Sequence, residues 1–86
     1  MKRFLVVSHH SAADCVVALK QVHAIGYLTH FDWGCKDGVH TGWAVLDAET
    51  KEQAMLSVPT FLRNQAQIVR LTKFRPEQVE QMHDLG

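Results

Sequence analysis

Six histidines and two cysteines stand among the 86 residues, and imidazole, thiol and carboxylate are the side chains that divalent metals and proton-transfer chemistry use. His9, His10, His40, Cys35 and Asp37 are the ones that topology can gather. They offer nitrogen, sulfur and oxygen donors of the kinds accepted by zinc, nickel and copper. Successive strand residues point to opposite faces, so His9 and His10 should diverge, with at most one belonging to a given site. Cys35 stands beside Lys36, with His40 as the only base in reach of a nucleophilic role. No phosphate-cradling glycine loop, GxSxG or HExxH motif accompanies them.

Three readings compete for this rim. A divalent metal is the first. An anion or organic acid is the second, held by Ser11 backbone donors at a helix start with His9 and Arg63. The third is purely structural: His10 closes a strand and His40 pairs with Asp37. A second cluster is His30 and Asp32, two apart on one strand face with Trp43 and Tyr27 nearby. These could line a small-ligand cavity, with His30 or His40 as acid–base group. The alternative there is a wet edge strand.

The elements that position these groups follow from the pattern. Phe4–Val7 is a short apolar run, read as a buried strand continuing to Ser8 or His9. Ser11 caps a helix whose stripe is Ala12, Cys15, Val16, Leu19, Val22 and Ile25, and Gly26 ends it. Cys15 is thus expected as a buried helix-face residue. Tyr27–Trp33 alternates as a second strand, and Gly34–Gly38 is a hairpin loop. Val39–Leu46 is the third strand. Thr50–Gln53 has the capping-box pattern, Pro59 ends the helix that follows, and Gln67–Phe74 is the fourth strand. Pro76 opens a terminal helix.

The order βαββαβ plus a helix is that of a single ferredoxin-like α+β domain over 1–86, with strands one and three central in an antiparallel sheet. Both helices then cover one face. The strands carry apolar residues at both parities, so the other face also needs a cover. A second chain is the simplest one, and the terminal helix folding back is the alternative.

Phe4-Leu5-Val6-Val7-Ser8-His9-His10, Phe31-Asp32-Trp33-Gly34-Cys35, His40-Thr41-Gly42-Trp43-Ala44, Val58-Pro59, Arg63, Ala66 and Lys73-Phe74 together resemble small bacterial proteins of the dimeric α+β barrel superfamily. That resemblance implies a homodimer whose two sheets enclose a cavity. The superfamily includes cofactor-free monooxygenases, muconolactone isomerases, ligand-sensing modules and metal-binding members. No catalytic residue of theirs maps onto this chain.

Lys plus Arg and Asp plus Glu are both 9. With no basic cluster, nucleic acid is not an expected partner. No stretch reaches membrane-spanning length, and the first apolar run is too short for a signal peptide. Two cysteines without a CxxC point to a cytoplasmic protein with free thiols. The sequence therefore predicts a cytoplasmic homodimeric binding protein with a His-lined pocket (His9, His10, His40, Arg63, Trp43) for a divalent metal or a small anionic or organic ligand. The alternatives are a cofactor-free isomerase, cyclase or monooxygenase, and a dimerisation module with no site.

Overall fold

The computed structural model describes residues 1–83; positions 84–86 of the expected domain lie outside the described residues. Its sheet is built on β1 (Lys2–His9), whose alternate residues Phe4, Val6 and Ser8 are buried. On one side β1 pairs antiparallel with β3 (Thr41–Ala48), on the other with β4 (Ala66–Arg70). The short β2 (Phe31–Trp33) pairs antiparallel with β3, which gives the order β2-β3-β1-β4. The chain is α+β, with α1 (Cys15–Ala24), α2 (Lys51–Met55) and α3 (Pro76–Glu80) around one four-stranded antiparallel sheet.

Registration explains the core. Phe4 lies opposite Leu46, and Val6 opposite Ala44 and Ile68, so these side chains share a face. Ala18 and Val22, four apart on α1, join them, as do Ala54 of α2, Val58 and Leu62. Phe4 and Val6 are 2% and 0% exposed. Burying a side chain of this kind stabilises by about 1.5–3 kcal/mol.

Among the described residues, nothing covers the other sheet face. Leu5 lies opposite Val45 and Val69, and Val7 opposite Trp43, so an apolar row crosses three strands. Val45 and Val69 remain 55% and 44% exposed. α3 buries none of its own residues and leaves that row open. No described helix is long and apolar enough to cross a membrane.

Several boundaries differ from the sequence reading. Residues 27–30 are not strand: Leu28–His30 form a 3₁₀ turn, and β2 begins only at Phe31. The cause is the end of α1. Gly26 takes φ 88°, its N–H bonds the His23 carbonyl, and the Tyr27 N–H bonds the Val22 carbonyl. That pair of bonds is a Schellman cap, which commits Tyr27 to the helix end. β3 starts at Thr41 rather than Val39, because Val39 N–H closes the hairpin on the Gly34 carbonyl. β4 stops at Arg70, with one more bond from Leu71 N–H to the Arg3 carbonyl. At α2, Thr50 Oγ1 accepts from Gln53 N–H, but Gln53 Oε1 reaches back to the N–H of Glu49.

Candidate metal centre

The end of β1, the start of α1 and both arms of the β2–β3 hairpin meet at one rim of the sheet. His10 follows β1 in the parity of Phe4, Val6 and Ser8, so its ring turns to the helix-covered side and is buried. Ser11 Oγ accepts from the Asp14 N–H and caps the 3₁₀ turn Ala12–Asp14, which leads directly into α1. Cys15 is therefore the first α1 residue, one turn before Ala18, on the helix face that packs on the sheet.

Gly34 sets the hairpin arm. The Asp37 and Val39 N–H groups both bond its carbonyl, and its own N–H bonds Thr41. A Cβ here would stand 2.7 Å from the Val39 carbonyl oxygen, so only glycine fits. Cys35 opens the 3₁₀ turn that follows, and His40 closes the loop before β3.

Four ligand atoms converge at this rim. One each from His10, Cys15, Cys35 and His40 all lie within 4.8 Å of one another. His10 Nε2 is 3.2 Å from Cys35 Sγ. The His10 and His40 rings stand edge-on with centroids 5.7 Å apart, and the Trp33 ring is tilted against His10 at 6.0 Å. His10 Nδ1 and His40 Nδ1 are buried with no hydrogen-bond partner. Buried polar atoms in native proteins nearly always have one.

Electrostatics follow from the same crowding. Burial holds His10 below its ordinary 6.5, helped by His40 and His9 and opposed by the Asp14 carboxylate. Burial, then the neighbouring Cys15 thiol, push the Cys35 thiol up to about 11. At neutral pH His10 is thus the neutral imidazole that metals bind, and Cys35 is a thiol whose Sγ lies 3.2 Å from His10 Nε2. A dication inverts the thiol balance, because coordination deprotonates it. Two thiolates, two neutral imidazoles and one dication sum to zero charge, which suits a half-buried site.

The rim gathers some of the expected residues and not others. His10, Cys35 and His40 meet. His9 points to the other side, where its Nδ1 lies 3.0 Å from Thr41 Oγ1. Asp37 is exposed in the hairpin turn and lies outside the group. Arg63 Nε–H donates to the Val58 carbonyl, and Ser11 Oγ accepts from the Asp14 N–H; neither residue belongs to the group. Trp43, His30 and Asp32 border a separate depression of about 280 Å³ on the open face, with Leu5, Ala44 and Val45. His30 and Asp32 are themselves exposed there.

Cys15 is the member that sequence reading misses. It lies on the apolar stripe of α1 and reads as core. The available signal is spacing: His10-x4-Cys15 mirrors Cys35-x4-His40. Each half joins a strand end to the helical turn beside it.

Comparisons with protein-family models, curated proteins and solved structures give no match for this chain.

Proposed function

We propose that this protein binds one divalent transition-metal ion, zinc foremost, through His10, Cys15, Cys35 and His40. One observation carries the reading: four donor atoms from three separate elements lie within 4.8 Å of each other. Two sulfurs and two imidazoles are the donor set of closed tetrahedral zinc sites. Nickel and copper(II) favour square-planar or tetragonal nitrogen and oxygen sets, which places them behind zinc. With all four positions taken by protein, no coordination position is left for water or substrate. The ion therefore acts by joining β1, α1 and the hairpin, or by being stored and handed on, rather than as a hydrolytic centre.

The strand order β2-β3-β1-β4 with α1 and α2 in the crossovers supports a ferredoxin-like assignment. The uncovered row Leu5, Val7, Trp43, Val45 and Val69 supports a homodimer through that face. Two metal-binding thiols fit a compartment that keeps cysteine reduced, the cytoplasm foremost.

Metal analysis of tag-free protein is the test. One zinc per chain is expected, with X-ray absorption reporting two sulfur and two nitrogen neighbours. Protein that takes up no zinc, nickel or copper under reducing conditions refutes the reading.

A further inference from the structure

We infer that Cys15 and Cys35 form a reversible dithiol–disulfide couple, so that a peroxide oxidant closes a bond between them and expels the metal. The inference rests on the metal reading above and concerns how that same site is regulated.

Both cysteines are free and half-buried, neither sealed in the core nor fully exposed. Their sulfurs belong to a group whose ligand atoms all lie within 4.8 Å of one another. They come from two independent elements, the first residue of α1 and the first residue of the hairpin turn. Among the described residues these are the only thiols, so an oxidised sulfur has one resolving partner within the chain, already beside it. A metal-bound sulfur is a thiolate, and thiolate is the form that attacks a peroxide.

The chemistry balances without a further reactant. One thiolate attacks hydrogen peroxide, which gives a sulfenic acid and hydroxide. The second thiolate displaces hydroxide from that sulfenic sulfur and forms the S–S bond. The two sulfurs lose two electrons in total, the peroxide gains them, and two protons from solvent complete two waters. Both thiolates are consumed as ligands. Two neutral imidazoles remain, too few to hold the dication, and zinc leaves. A thiol reductant reverses the change through a mixed disulfide.

The sequence makes the bond easy to read. Trypsin cuts after Arg3, Lys20 and Lys36, so peptides 4–20 and 21–36 carry one cysteine each. The experiment takes the full chain loaded with one equivalent of zinc in thiol-free buffer. Hydrogen peroxide is added stepwise while a chromogenic chelator reports free zinc. Acid quench, alkylation of the remaining thiols and tryptic digestion near neutral pH then report joined peptides, and a mixture of isotope-labelled and unlabelled chains separates bonds within a chain from bonds between chains. The expected result is one zinc released per joined 4–20/21–36 pair, within single chains, with both changes reversed by reductant and added zinc. Zinc-loaded protein that keeps its metal, that oxidises to sulfinic acids, or that joins only between chains overturns the couple while leaving the metal site standing. A chain that never takes up zinc removes the metal reading instead, and this inference with it.

Discussion

The His10 N–H donates to the His40 carbonyl oxygen at 3.1 Å, one step beyond the last β1–β3 pair, His9 with Thr41. The ladder therefore continues into the site, and the two imidazoles sit on neighbouring backbones fixed by the sheet. Cys15 and Cys35 complete the group from helical turns. The centre closes a ring of elements: β1 into α1 on one side, β2 into β3 on the other.

Metal binding should therefore appear as fold stability. Zinc at one hundred times its dissociation constant adds about 2.7 kcal/mol, which in a domain of this size raises Tm by about 10–20 °C. His40→Ala and Cys15→Ser are expected to lose most of that rise while melting near the metal-free wild type. Calorimetry with zinc and with a chelator checks this. A Cys15→Ser protein that keeps the full zinc shift would remove Cys15 from the ligand set.

The metal-free protein should have a stability window set from both sides. Burial lowers His10 in the folded state below its ordinary 6.5, so folding favours its neutral form. That contribution is present above 6.5 and lost as pH falls through the lower folded value. Cys35 rises from 9.0 to about 11 on folding, so folding favours the thiol. Its contribution is complete below 9.0 and lost as pH climbs toward 11. Chelator-treated protein should melt highest between these limits, and His10→Gln should flatten the acid side. Zinc uptake at neutral pH should release protons, Cys35 supplying at least part of them. Calorimetric titration in two buffers of different ionisation enthalpy measures that release.

How much of this was readable before folding depends on whether the signal was local. Gly26, Ser11, Thr50 and Pro76 each mark a helix end by backbone chemistry that needs no tertiary context, and each stands at or beside one in the structure. Phe4–Val7 reads as a strand buried on both faces; it is the central strand, but only Phe4 and Val6 are buried, while Leu5 and Val7 lie on the open face. The alternation Tyr27, Thr29, Phe31, Trp33 misleads because the α1 cap claims Tyr27 first. At the site, strand direction brings His9, His10 and His40 to one rim, and alternation says that only one of His9 and His10 belongs there; burial of His10 on the helix-covered side decides which. Cys15 does not, since a small apolar residue on a helix stripe fits the core equally well. Only the packing of α1 on the sheet brings it beside His10, Cys35 and His40.

Gly26 offers a test of the cap in isolation. Its φ is 88°, and a Cβ built there meets nothing within 4 Å. Gly26→Ala therefore adds backbone strain without a clash, at a cost of about 1–2 kcal/mol. Urea unfolding should show a lower midpoint with an unchanged slope. Gly26→Asn should recover part of the loss, because Asn tolerates the left-handed region better than Ala does.

The open sheet face is where a second copy is expected. Val45, 55% exposed, lies on the face that also presents Leu5, Val7, Trp43 and Val69, and the polar groups beside this row include Gln67 opposite Val7, Arg3 opposite Asp47, and Asp32 opposite Trp43. A charge placed in the middle of a buried apolar patch costs several kcal/mol unless it is paired. Val45→Asp should thus shift a dimer to monomer in light scattering over a concentration series. It should leave zinc stoichiometry unchanged, because the metal rim belongs to the helix-covered side. Wild-type protein that scatters as a monomer at every concentration would refute the dimer. A Val45→Asp variant that stays dimeric would move the interface off this face, to the exposed apolar positions of α1, Val16 and Val17.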